Sequence, residues 1–141
     1  MRDRLGKKPF VYGRLDDGGL AFASEARAIL ATDWPRRPDF NAINGVLAVG
    51  HAPLDATAYE GLASVPPAHI LTWSDGAVDV RRYWQPDFSS KLHIDAPAAQ
   101  DLALSTIDEA VRARLISERP LGAFLSGGYD STVVTAIMAQ H

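Results

Sequence analysis

The stretch LGAFLSGGYDS, residues 121–131, sets the interpretation of the C-terminal third of the chain. Its first five residues form a short apolar run, which is typical of a buried strand. Gly127 and Gly128 interrupt the run, and apolar residues then recur at helical spacing as far as Met138. The sequence therefore predicts a buried strand at 121–125, a glycine loop, and a helix that begins near Asp130.

A glycine loop between a strand and a helix is suited to binding an anion. Glycine lets the backbone turn sharply, and it lets a phosphate approach the N–H groups without meeting a Cβ atom. The start of the helix adds unpaired N–H donors and the positive end of the helix dipole. The hydroxyls of Ser126, Ser131 and Thr132 can donate further hydrogen bonds. No Gly-Lys-Ser/Thr sequence follows the glycines, so the loop is not a Walker A loop.

Asp130 needs a separate explanation, because its carboxylate would repel a phosphate in the same loop. It could cap the helix that follows. Alternatively, it could reach the phosphate through Mg²⁺, which prefers carboxylate and phosphate oxygens as ligands. The sequence favours the metal over the cap, and one carboxylate could serve both purposes.

Composition and charge exclude several classes of function. The net charge is −3 and Lys and Arg form no block, so the basic surface needed for nucleic acid is missing. No apolar stretch approaches the ~18 residues of a membrane span, and Met1–Arg4 leads into no signal sequence. We therefore expect no nucleic-acid or membrane partner and a cytoplasmic location. The chain has no cysteine, and its four histidines are too far apart to suggest a metal site.

The N-terminal part has the pattern of a layered β structure with short helices. Strands are predicted at 9–13 and 20–23, on either side of the turn sequence Asp-Asp-Gly-Gly at 16–19. Ser24 is then expected to cap a short helix from Glu25 to about Thr32.

The middle of the chain leads from hairpins to helices. A second short helix is predicted to start at Asp39, and Ser-Asp-Gly at 74–76 indicates a β-hairpin between 69 and 84. Residues 85–97 lose all alternation and are expected to form an exposed linker. A longer helix is predicted from about Ala98 to Ser117.

Several of these segments resemble a known family. Ser-Gly-Gly-x-Asp-Ser between a strand and a helix resembles the pyrophosphate loop of the ATP pyrophosphatases. The chain as a whole resembles the glutamine-dependent asparagine synthetases, in the family's order and spacing. Residues 2–12 and 22–25 resemble the end of that family's glutaminase domain, 65–69 and 82–84 its hinge region, and 121–131 the start of its synthetase domain.

The resemblance implies a fold and a domain order. Residues 1–84 would be the α+β C-terminal part of an N-terminal-nucleophile-type glutaminase domain with its hinge hairpin. Residues 85–97 would be a linker. Residues 98–141 would begin an α/β adenine-nucleotide hydrolase-like domain, the ATP-pyrophosphatase synthetase domain.

The resemblance also implies a function. The parent enzyme would be an asparagine synthase (glutamine-hydrolysing), a ligase that amidates aspartate with ATP and glutamine-derived ammonia through an acyl-adenylate. ATP and Mg²⁺ would be its cofactors, small molecules its partners, and a homodimer is compatible with the family. By position, the residues around ATP and pyrophosphate would be Phe124, Ser126, Gly127, Gly128, Asp130 and Ser131, with Asp130 as the Mg²⁺ ligand.

The departures from the family bear on what this chain can do. The family's glutaminase nucleophile is an N-terminal cysteine, whereas Arg2 follows Met1 here and no cysteine is present. The family's upstream glutamine-binding segments and everything after His141 are also absent. We therefore expect a fragment of asparagine synthase with no catalysis by these 141 residues alone.

Alternatives remain at four points. The parent could be a related ATP-dependent amidotransferase or a lactam or peptide cyclase, although the segment from Arg2 to Pro9 favours asparagine synthase. The chain itself could be a catalytically inert nucleotide-binding remnant. Tyr129 could contact the ligand or cover the loop, and the charged cluster Arg2–Arg4 could lie at a domain interface or be simply solvated.

Overall fold

Residues 1–53 and 55–141 are described by a computed structural model, and their contacts divide the chain into two units, Met1–Asp87 and Phe88–His141. Unit 1 contains a three-stranded sheet made of β1 (Val11–Arg14), β2 (Leu20–Ala23) and β3 (Leu62–Ser64). The strand order is β2-β1-β3, and both pairings are antiparallel. The first two strands confirm the sequence prediction, and the unit is α+β as expected.

The core of unit 1 packs against one face of this sheet. Val11, Ile29, Trp34 and Leu62 are its buried side chains. Gly13 is required on β1, because a Cβ atom there would lie 2.3 Å from Cη2 of Trp34. The indole ring therefore packs directly on the strand backbone.

Helix α1 (Ala26–Leu30) differs from the prediction at its N-terminus. Its N-cap is Glu25, not Ser24, and no side chain accepts a capping hydrogen bond. Glu25 instead forms an ion pair with Arg27. The cap predicted for Ser24 is thus wrong, because the chain enters the helix one residue later and leaves the serine outside the capping position.

Helix α2 (Phe40–Val49) begins where the sequence predicts. The Asp39 side chain accepts hydrogen bonds from the N–H groups of Asn41, at 2.9 Å, and Ala42, at 3.1 Å. Gly50 ends the helix with a φ of +81°, a left-handed conformation that costs glycine little.

The predicted hairpin is confirmed as β4 (His69–Ser74) paired with β5 (Ala77–Arg82). Its two turn residues, Asp75 and Gly76, both have positive φ angles, +49° and +75°. Two such residues make the tight turn whose twist matches that of the flanking strands. The hairpin forms a two-stranded sheet of its own.

Unit 2 consists of helix α3 (Ala96–Arg112), helix α4 (Tyr129–Met138) and their connections. Helix α3 starts two residues before the predicted position, because the Asp95 carboxylate caps it by accepting from the N–H of Ala98 at 2.9 Å. It also ends five residues earlier than predicted. Val111 and Ile137 are the buried apolar side chains of the unit.

The buried strand predicted at 121–125 is wrong. The structure assigns no strand to these residues, and Phe124 is 100% exposed. A strand needs a neighbour to pair with its N–H and C=O groups, and unit 2 has no other strand among its described residues. Across the described part of the chain, no helix combines the length and apolarity required to cross a bilayer.

Candidate phosphate-binding loop

The backbone at 126–129 has the shape that the glycines predict. Gly127 has a φ of +81°, which is unfavourable for any residue with a Cβ atom. Gly128 is the N-cap of helix α4, with extended φ and ψ angles of −78° and 158°. The chain therefore turns sharply at Gly127 and enters the helix at Tyr129.

The hydroxyls of Ser126 and Ser131 are hydrogen-bonded to each other, and all three loop hydroxyls bond to the loop backbone. Ser126 Oγ and Ser131 Oγ lie 3.0 Å apart, and the Gly128 N–H donates to Ser126 Oγ at 3.4 Å. Ser131 Oγ and Thr132 Oγ1 donate to the Gly128 carbonyl, at 3.1 and 2.8 Å. These local bonds hold the predicted residues Ser126, Gly128 and Ser131 together.

Asp130 lies in the first turn of α4 and does not cap it. The N-cap is Gly128, and no side chain accepts a capping bond there. The capping interpretation of Asp130 is therefore wrong, because the residue lies two positions inside the helix. Its carboxylate remains exposed beside the N–H groups of the first turn, which have no intrahelical acceptor.

Two aromatic side chains near the loop are almost fully exposed to solvent. Phe124 is fully exposed and Tyr129 is 94% exposed. The structure thus brings Ser126, Gly128 and Ser131 into one cluster and leaves Phe124 outside it. Tyr129 does not cover the loop, so of its two interpretations only the ligand contact is left as a hypothesis.

The charged N-terminal cluster is neither free nor simply solvated, and its role was not found from the sequence. The Arg2 guanidinium donates to four acceptors. They are the carbonyls of Val65 (2.7 Å), Gly6 (3.0 Å) and Lys8 (3.0 Å) and the Ser64 hydroxyl (3.3 Å). The sequence gives no sign of these Arg2 hydrogen bonds, because two of the acceptors lie more than 60 residues away along the chain.

Asp3 organises the same segment through its carboxylate. It accepts from the N–H groups of Lys8 (3.0 Å), Lys7 (2.9 Å) and Leu5 (3.3 Å). Hydrogen bonds to the ionised form, that from Lys8 above all, lower the pKa of Asp3 below its usual 3.8. Arg4 differs from both, since its guanidinium lies over the Trp84 ring, 5.6 Å from the centroid.

Unit 1 also contains an open, charged cavity of about 650 Å³, with Arg14, Arg37 and Glu60 in its lining. Trp34 lines it as well, and the indole Nε1 of that residue is buried without a hydrogen-bond partner. None of the residues predicted to bind ATP or metal lies there. No group of three or more metal-ligating side chains occurs among the described residues.

Family models match both parts of the chain. The model described as "Glutamine amidotransferase domain" matches residues 1–84, and the model described as "Asparagine synthase" matches residues 103–141. Since the first covers more than half of the chain, the chain belongs to the glutamine amidotransferase domain family. The second match includes the whole glycine loop.

Curated relatives agree with this order of parts. The chain is 36% identical to asparagine synthetase [glutamine-hydrolyzing] 3 of Bacillus subtilis, over 99% of this chain and 23% of that protein. It is 32% identical to putative asparagine synthetase [glutamine-hydrolyzing] 2 of Methanocaldococcus jannaschii, over 99% of this chain and 28% of that protein. The resemblance to asparagine synthetases is therefore confirmed. The chain spans only about a quarter of the length of these two relatives.

Proposed function

We propose that this chain is part of an asparagine synthase (glutamine-hydrolysing). The whole enzyme would amidate aspartate with ATP and glutamine-derived ammonia through an acyl-adenylate. The observation that supports this most directly is the loop at 126–131, whose positive-φ glycine and hydroxyl cluster lead straight into the N-terminus of α4. The similarity to asparagine synthetases extends over nearly the whole chain.

In this proposal the loop binds the pyrophosphate part of ATP. The N–H groups at the start of α4 donate to phosphate oxygens, and the helix dipole favours the negative charge. Ser126 and Ser131, which bond to each other at 3.0 Å, would turn their hydroxyl hydrogens toward the ligand. Phe124 would lie beside the nucleotide. The loop residues would thereby stabilise the charge that develops on the leaving pyrophosphate.

The residues present fit a magnesium ion bound with the pyrophosphate. Asp130 has an exposed carboxylate that no capping bond occupies, and carboxylate oxygens are hard ligands of the kind Mg²⁺ prefers. When bound, the ion neutralises phosphate charge. Asp130 would hold it from the first turn of α4, which removes the repulsion between carboxylate and phosphate.

The domain assignment belongs to the same proposal. Residues 1–84 would end a glutaminase domain of the N-terminal-nucleophile type, 85–97 would be a linker, and 98–141 would begin an adenine-nucleotide hydrolase-like domain. The parent enzyme would be cytoplasmic, and we propose a homodimer as its assembly. The two matching family models, at 1–84 and 103–141, support this division.

The test is calorimetric binding of pyrophosphate to the chain, with and without Mg²⁺. Gly127→Ala should weaken binding about tenfold or more, because alanine resists the positive φ that the turn requires. Asp130→Asn should remove the part of the affinity that depends on Mg²⁺ and leave the rest. Ser105→Ala is the matched control, since Ser105 exposes a hydroxyl that bonds only to a helix carbonyl.

Two results would contradict the proposal. Unmodified chain that binds no pyrophosphate at millimolar concentrations, with Mg²⁺ present, would remove the loop as a binding site in this protein. Equal affinities for the Gly127→Ala variant and the Ser105→Ala control would place any binding elsewhere. Equal Mg²⁺ dependence in Asp130→Asn would refute the metal ligand alone.

A further inference from the structure

The apolar side chains of the β4–β5 hairpin are at most half-buried in unit 1. None of its strand residues, His69–Ser74 and Ala77–Arg82, is buried. It forms a separate two-stranded sheet that is not hydrogen-bonded to β1, β2 or β3. A two-stranded hairpin alone is marginally stable in water, so its contacts with the rest of unit 1 determine whether it stays in place.

The hydrogen bonds that attach the hairpin to the rest of unit 1 lie at its two ends. At the open end, which we call the root contact, three hydrogen bonds join four residues. The Arg2 N–H donates to the His69 carbonyl at 2.9 Å, and the Tyr83 N–H donates to the Ala68 carbonyl at 2.8 Å. The Tyr83 hydroxyl donates to the Arg2 carbonyl at 3.0 Å, across 81 residues of sequence.

The second attachment, the tip contact, lies at the turn of the hairpin. Trp73 Nε1 donates to the Gly18 carbonyl at 3.3 Å, and this bond is exposed. Gly76 lies close to the same carbonyl, at 3.8 Å from the position a Cβ atom would take. The tip is therefore attached to the β1–β2 turn by one weak, solvent-accessible bond.

The backbone that precedes the hairpin is strained where the root contact forms. Ala68 has a φ of +61° although it carries a Cβ atom, and it is buried. Its N–H donates to the Asp3 carbonyl at 3.0 Å, and its carbonyl accepts from Tyr83. A non-glycine residue in this conformation persists only where surrounding bonds hold it, so loss of the root contact would release this strain.

We propose that the β4–β5 hairpin opens as a unit, by loss of the root and tip contacts, while the three-stranded sheet stays folded. Regions with few buried apolar contacts and exposed hydrogen bonds open at lower free energy than the core. The Tyr83 hydroxyl and the Arg2 backbone control this opening.

Hydrogen exchange of backbone amides in the intact 141-residue chain tests the proposal. Amides of 69–82 should exchange faster than those of 11–14 and 20–23. Tyr83→Phe should speed exchange in the hairpin by about two- to tenfold, the factor expected for one neutral hydrogen bond, and leave the sheet unchanged. Trp73→Phe should act in the same direction through the tip contact.

Tyr129→Phe is the matched control, since the Tyr129 side chain is 94% exposed in unit 2 and should alter neither rate. Equal exchange rates in the hairpin and the main sheet of the unmodified chain would overturn the proposal without any variant. So would a Tyr83→Phe variant in which both sheets accelerate together, or in which the hairpin does not accelerate at all.

Discussion

Replacing Arg2 by alanine should destabilise unit 1 by about 2–4 kcal/mol. The guanidinium makes the four hydrogen bonds described above, two of them to the Ser64–Val65 segment. Bonds to a charged donor contribute about 1.5–3 kcal/mol each, but four bonds from one side chain do not add fully. The strongest, at 2.7 Å, is to the carbonyl of Val65, whose side chain is fully buried. Alanine leaves that carbonyl without its donor.

Urea unfolding followed by tryptophan fluorescence measures this loss. All three tryptophans of the chain (Trp34, Trp73 and Trp84) lie in unit 1, so the signal reports that unit alone. At an m-value of ~1 kcal/mol/M, the midpoint should fall by roughly 2 M or more.

Two further variants make the Arg2 result interpretable if alanine prevents folding. Arg2→Lys keeps the charge but cannot reach all four acceptors, so it should lose less than alanine and remain measurable. Arg4→Ala is the control, because the exposed Arg4 side chain lies over the Trp84 ring and its loss should cost less than about 1 kcal/mol. A loss below about 0.5 kcal/mol in Arg2→Ala would refute the structural role assigned to these bonds.

Three further predictions concern unit 1. Because hydrogen bonds lower the pKa of Asp3, its ionised form stabilises unit 1 fully above the usual pKa of 3.8, and this stabilisation is lost as the pH falls below that value. Asp3→Asn should therefore make the free energy of unfolding depend less steeply on pH below about pH 4. An unchanged pH dependence in that range would refute the role. Gly13→Ala should cost about 1–3 kcal/mol in urea unfolding, because the new methyl group overlaps the Trp34 ring, and a neutral result would refute that packing. Asp39→Ala should cost about 1 kcal/mol by loss of its cap, whereas Asp39→Asn should restore most of it.

Elements whose determinants are local could be predicted from the sequence. The hairpin turn needs two residues that tolerate positive φ, and Asp75-Gly76 supplies both. Helix α2 starts directly after Asp39, because the Asp39 carboxylate accepts from the N–H groups two and three residues further along the chain. The glycine loop at 126–128 belongs to the same class, since every bond that shapes it spans five residues or fewer.

Elements that depend on distant partners could not be predicted. The apolar run at 121–125 has the composition of a strand, but no other strand of unit 2 lies within the described residues to pair with it. The four bonds of Arg2 had no sequence signal, because two acceptors come from the β3 end, 62 and 63 residues away. The N-cap of α1 was predicted at Ser24, but the chain becomes helical one residue later, so Glu25 is the N-cap.

The same distinction explains why the candidate loop keeps its shape in a unit with so little core. Of the buried apolar side chains described, only Val111 and Ile137 belong to unit 2, too few to fix a loop by packing. The loop is fixed instead by the hydroxyls of Ser126, Ser131 and Thr132, all bonded within one turn of Gly128. A ligand must compete with these bonds, but it does not have to order the backbone first, since Gly127 already has its positive φ. Phosphate affinity should therefore depend more on the loop residues than on the global stability of unit 2.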